Sequence, residues 1–152
     1  MEISKLTERS GVESNEKWAR KTRYFRQLID ELNAREIPDG PVARINEEID
    51  QLNAFTGDDK SYMRHLTNAQ SRVLKFVEKE LKLVPKGYYR TIWLVVGMAA
   101  FGTPLGTAFG IAMGNMAFIG IGLPIGMAIG IALGSGMDKK AADEGRQLNV
   151  EM

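Results

Sequence analysis

Apolar residues recur at alternating steps of three and four in three stretches of the first half of the chain. The second half is dominated by one long run almost without polar character. From about Glu16 to Arg35 the apolar stripe is Trp18, Thr22, Phe25, Ile29 and Leu32. From near Pro41 to about Phe55 it is Val42, Ile45, Ile49, Leu52 and Phe55. From about Ser61 to Val84 it is Tyr62, Leu66, Ala69, Val73, Phe76 or Val77, and Leu81. Steps of three and four return side chains to one face of an α-helix, so three amphipathic helices are predicted. Ser14 or Asn15 suits an N-cap, Pro41 suits a first helical turn, and Ile37–Pro41 and Thr56–Asp59 interrupt the pattern. Such short connections imply a small bundle over residues 14–90, with residues 1–13 predicted to be loose.

From Thr91 to Met137 none of the 47 residues is Asp, Glu, Lys, Arg or His. A hydrocarbon core about 30 Å thick needs roughly 20 apolar residues per helix, so the run suffices for two crossings. An all-α membrane protein follows: a three-helix cytoplasmic bundle, then a transmembrane hairpin at 91–137 with spans of about 91–114 and 119–137. The alternative is a buried, glycine-rich hairpin of a soluble protein. Lys86, Tyr88, Tyr89, Arg90 and Trp93 precede the run, and Lys139 and Lys140 follow it, as interfacial anchors would. Both flanks are basic and the turn near Asn115 is neutral, which places both ends in the cytoplasm, with 138–152 a tail extending the second helix and fraying. The first nine residues lack the apolar core of a cleaved signal peptide, so the hairpin is expected to act as its own insertion signal.

Within the run a frame GxPxGxAxGxAxG occurs twice. Glycines fall at Gly102, Gly106, Gly110 and Gly114, and again at Gly122, Gly126, Gly130 and Gly134, one per helical turn on one face. Lipid tails are as apolar as leucine, so membrane helices associate by close packing, and a glycine face lets two backbones approach. Ala108, Ala112, Ala128 and Ala132 lie two residues beyond a glycine, about 200° around the helix, so each helix is thin on two faces. One face can serve the hairpin and the other a neighbouring copy, which points to a homo-oligomer. The stretch from about 102 to 137 resembles the glycine-zipper segments of small bacterial membrane proteins. That resemblance implies an oligomeric assembly in the bacterial inner membrane, several classes of which are pores. The hairpin is similar in outline to the ring subunit of rotary ATPases, but it lacks the mid-membrane carboxylate which that family requires.

The residue after each glycine is semi-polar in the first helix only, making Thr103, Thr107, Ile111 and Asn115 the pore-lining candidates, with Ile111 a constriction able to close by dewetting. The alternative is that the threonines bond back to carbonyls one turn earlier and Asn115 begins the turn. Pro104, inside the first span, should free a carbonyl and kink the helix, a hinge candidate; Pro124 is expected in the opening turn of the second span, where its missing N–H costs little.

The remaining composition narrows the chemistry. There are no cysteines and one histidine, and His65 has no second ligand at metal spacing, so neither a disulfide nor a metal site is predicted. No nucleophile triad, phosphate loop or paired carboxylates appear, so no catalytic residues and no cofactor are assigned, and the chain is read as a non-enzyme. Lys17, Arg20, Lys21, Arg23 and Arg26 form either a solvated face or a surface for anionic lipid. Expected partners are a second copy of the chain, the lipid bilayer, and a protein bound through residues 14–84; nucleic acid is not among them. Two functions remain open: an oligomeric pore or channel controlled by the helical domain, or a non-conducting tether that holds that domain at the membrane.

Overall fold

Asn15 caps the first long helix, its side-chain oxygen accepting from the N–H groups of Lys17 and Trp18 at 3.1 and 3.3 Å. The computed structural model describes residues 1–151; Met152, the end of the predicted tail, lies outside the described residues. After a single turn, α1 (Ser10–Glu13), come α2 (Glu16–Asn33), α3 (Asp39–Asn53) and α4 (Asp59–Phe76). Asp58 caps α4 by accepting from Ser61 N–H at 3.1 Å. The predicted stripes face inward: Phe25, Ile29 and Leu32 of α2, Val42, Ile45, Ile49 and Leu52 of α3, and Tyr62, Leu66, Ala69, Val73 and Val77 are all buried in one cluster. Phe55 and Phe76 pack only at its margin.

Three sequence expectations change here. The third helix does not continue to Val84. It widens into a π-helical turn at Val77–Leu81 and stops where Lys82 adopts a left-handed conformation (φ 59°). The next residues form β1 (Val84–Lys86), which pairs with β2 (Gln147–Glu151). The C-terminal tail is therefore a strand and not a fraying helix extension, because Leu148 and Val150 alternate inward and are fully buried in the same cluster as the helices. The fold is accordingly mostly helical, with a two-stranded sheet that an all-α reading omits.

Nor are residues 1–13 loose. Ile3, Leu6 and Val12 are buried, and three asparagines hold the extended segment by both ends of their amides. Asn33 accepts from Ile3 N–H (2.8 Å) and donates to Ile3 C=O (3.2 Å). Asn46 accepts from Ser4 N–H (2.7 Å) and donates to Glu2 C=O (3.1 Å). Asn53 does the same with Thr7 N–H (2.9 Å) and Lys5 C=O (3.0 Å). Side-chain amides take the place of a neighbouring strand, satisfying backbone groups that burial would otherwise leave unpaired.

The chain divides into two compact units, residues 1–85 with 148–151 and residues 86–147. In the second unit α5 (Tyr88–Gly97), a π-helical turn (Met98–Gly102) and α6 (Thr103–Ala112) form one continuous 25-residue helix. After the turn at Gly114, a short 3-10 turn (Met116–Phe118) leads into α7 (Ile119–Asp143). Both helices are long and apolar enough to cross a membrane.

Candidate functional site

The hairpin helices run antiparallel with their glycines between them. A Cβ added at Gly126 would lie 2.5 Å from Gly97 C=O and 2.6 Å from Gly102 Cα. At Gly134 it would lie 2.5 Å from Arg90 Cα, at Gly102 3.1 Å from Gly122 C=O, and at Gly130 3.1 Å from Leu94 Cα. Gly106 and Gly122 likewise meet backbone, of Ile119 and of Gly102 and Gly106 respectively. Nearly every neighbour at these positions is main chain, which cannot turn aside as a side chain can.

Two of the glycines predicted to pack behave differently. At Gly110 an added Cβ would meet side chains first, Ile119 Cγ1 at 3.3 Å and Met116 Sδ at 3.4 Å. Gly114 meets nothing within 4 Å; it sits in the turn with φ 63°, so its role is conformational and not one of packing. The sequence frame also overlooked Gly97, which packs on Gly126 and Gly130. Its spacing of five from Gly102 carries it about 140° past a full turn in a regular α-helix. The π-helical turn at Met98–Gly102, with Thr103 N–H bonded to Met98 C=O, absorbs the extra residue and brings both glycines onto one face.

That turn is also how the chain accommodates Pro104, which lies in the opening turn of α6 just after it. The interruption expected at the proline thus appears before it as a widened turn. Pro124 is not in the opening turn of its helix: α7 starts at Ile119, so the proline is interior and the carbonyl of Gly120 receives no helical hydrogen bond from it.

The faces away from the glycines are open. Ala108, Ala112, Ala128 and Ala132 are all exposed, as are Val95, Phe109, Ile121 and Leu133. Of the four pore-lining candidates, Ile111 is 70% exposed and Thr103 is exposed. Thr107 is exposed too, but its hydroxyl donates to Thr103 C=O at 2.9 Å, and Asn115 accepts from Ala117 N–H at 2.9 Å to cap the 3-10 turn. Two of the four side chains therefore make local hydrogen bonds to the backbone of their own segment. Among the interfacial candidates Tyr88 is buried, with its ring edge-on to Tyr89 at 5.3 Å, while Lys86, Tyr89 and Trp93 are half-buried. Arg90, Lys139 and Lys140 are exposed.

Asp138, the first charged residue after the apolar run, is a site residue that the sequence pattern does not single out. Its buried carboxylate, 9% exposed, accepts from the N–H groups of Tyr89 and Arg90, both at 3.0 Å. A carboxylate from the end of the second helix thus caps the start of the first, whose own N-cap, Gly87, has no side chain to do so. Asp138→Ala should lower the stability of the hairpin by about 1–3 kcal/mol by orphaning both donors, read as faster amide exchange at Tyr89 and Arg90. Unchanged exchange there would show that the cap carries no weight.

His65 packs against Phe55 with ring centroids 4.6 Å apart and the rings tilted by 40°. No group of three or more His, Asp or Glu among the described residues is arranged to hold a metal ion. Comparison with known protein families, curated proteins and solved structures finds no match.

Proposed function

We propose that the chain is an integral membrane protein whose closed helical hairpin tethers a helical domain at the membrane surface. The observation that carries this reading is the contrast between the two sides of the hairpin. The glycine faces are consumed backbone to backbone, yet only 22% and 17% of the most apolar stretches of the two helices are buried. A soluble hairpin core would be buried over most of its surface, whereas lipid solvates such an exterior without cost. The pairing of β1 with β2 supports a topology in which the chain enters and leaves the bilayer on one side. The basic flanks favour the cytoplasm for that side, as in a bacterial inner membrane.

A second reading, an oligomeric pore, is favoured by the exposed alanine stripes, which would let hairpins of several copies pack side by side around Thr103 and Ile111. The local hydrogen bonds of Thr107 and Asn115 favour the tether. In either case the partners are the bilayer, including anionic lipid, a second copy, and a protein engaged by the helical domain. Reconstituted bilayers separate the two readings. The tether predicts no conductance from the parent chain or from Ile111→Ser, while both resist extraction from membranes by alkaline carbonate. A rise of tenfold or more in ion leak on Ile111→Ser would establish the pore in its place, because a serine there would wet a dewetted constriction.

A further inference from the structure

Three threonines inside the helices of this chain return their hydroxyls to the preceding turn: Thr67 to Met63 C=O at 2.8 Å, Thr91 to Gly87 C=O at 2.9 Å and Thr107 to Thr103 C=O at 2.9 Å. Thr22, in the middle of α2, does not. It is 8% exposed and its Oγ1 has no hydrogen-bond partner. An unsatisfied buried hydroxyl costs about 1–3 kcal/mol, and an isosteric valine would avoid that cost. What distinguishes Thr22 is its position on the wall of a cavity of about 300 Å³ within the N-terminal unit, lined also by Thr7, Arg9, Arg23, Arg26 and Tyr62.

The three guanidinium groups play different parts. Arg9 is fixed: its Nε pairs with Asp59 at 2.7 Å, Nη1 donates to Phe55 C=O at 3.3 Å, Nη2 donates to Gly57 C=O, and its Cζ lies 4.9 Å from the centre of the Tyr62 ring. Arg26 faces only Glu8, at 3.6 Å, beyond hydrogen-bond distance and with the Glu8 side chain 81% exposed. Arg23 has no ion-pair partner among the described residues. Burial pushes the Tyr62 phenol above its ordinary range, with Arg9 and Arg26 pulling the other way. The phenol therefore keeps its proton at neutral pH and is a donor. Arg23, which has no ion pair among the described residues, Arg26, whose ion pair to Glu8 is long, and Tyr62 thus line the same space as Thr22, whose own Oγ1 is covered.

We propose that this cavity binds a phosphate monoester, held by Arg23 and Arg26 and by the hydroxyls of Tyr62 and Thr22, with Glu8 displaced from Arg26 and the Thr22 side chain turned to bring its covered Oγ1 to the ligand. A tetrahedral dianion has enough acceptor oxygens for these donors, and planar guanidinium groups suit phosphate oxygens in pairs. The cavity sits at the lower end of the size range of small-molecule sites, about 300–1,000 Å³, which leaves room for a short organic group beyond the phosphate. The ligand is either a free phosphorylated metabolite or the headgroup of a phosphomonoester lipid. The inference goes beyond the tether reading and does not depend on whether the hairpin conducts.

The test uses the full chain in phosphatidylcholine nanodiscs titrated with glycerol 3-phosphate, with glycerol as control and hydrogen exchange of the Ala19–Arg26 amides as a local readout. Saturable binding of glycerol 3-phosphate but not glycerol is expected, weakened tenfold or more by Arg26→Gln and by Thr22→Val. Thr22→Val should melt no lower than the parent, because it removes a hydroxyl that has no partner, so its loss of binding cannot be put down to misfolding. If free phosphoester does not bind but phosphatidic acid in the nanodisc protects Ala19–Arg26, and Thr22→Val removes that protection, the site stands with lipid as the source. Protection unaffected by Thr22→Val, or no response to either phosphomonoester, would overturn the proposal.

Discussion

Replacing Gly126 by leucine should unzip the hairpin. The added Cβ alone would fall 2.5–2.6 Å from Gly97 C=O and Gly102 Cα, and the rest of the side chain has no space on that face. Main-chain atoms held by helical hydrogen bonds cannot move aside one at a time, so the helices must separate along their length. That forfeits close packing at several glycines together, and the expected destabilisation exceeds about 4 kcal/mol, the range in which single substitutions are exceptional. Gly110→Leu should do less, because its neighbours are the Ile119 and Met116 side chains, which can change rotamer. Gly114→Leu should cost only about 1–2 kcal/mol, through its left-handed conformation and not through any contact. Leu133→Phe, on a face 46% exposed, should be close to neutral. Unfolding in mixed detergent micelles, followed by helicity, would rank the four variants. Equal stability of Gly126→Leu and Leu133→Phe would mean that the glycine face is not the contact.

Leu148→Ala should damage the N-terminal unit although the residue lies far from it in sequence. Leu148 is fully buried and belongs to the same apolar cluster as Phe25, Leu28, Ile45 and Leu66. Truncating a buried leucine removes its transfer free energy and leaves a cavity, a loss of about 2–5 kcal/mol. Glu151→Ala on the exposed side of the same strand should stay within about 0.5 kcal/mol. Hydrogen exchange separates this from a merely local effect: amides of α2, α3 and α4 should exchange faster in Leu148→Ala, whereas a strand that only decorates the surface would change exchange in β1 and β2 alone.

Much of this architecture is legible in the chain itself. Periodicity alone locates α2, α3 and α4 and most of their buried faces, because an amphipathic helix must repeat its apolar residues every three or four positions whatever it packs against. The charge-free run and its glycine spacing likewise announce two long apolar helices with narrow faces, since both properties belong to single helices. A cap at Ser14 or Asn15 is readable for the same reason, and the structure selects Asn15, whose hydrogen bonds close within three residues.

What the sequence left undecided depends on contacts between residues far apart. Five residues of alternating pattern at Gln147–Glu151 are too few to outweigh the helix before them, and only the buried cluster that receives Leu148 and Val150 makes them a strand. Residues 1–13 have almost no periodic signal, and their order comes from asparagines 30 to 48 positions away. The partner of Gly97 and the purpose of Asp138 emerge once the helices are paired, because a step of five looks like a break in a frame of four until a widened turn restores the face. The cavity beside Thr22 is of the same kind: a threonine on an apolar stripe reads as a small core residue, and only the arginines gathered around it from the N-terminal segment and from its own helix make its unpaired hydroxyl a binding group.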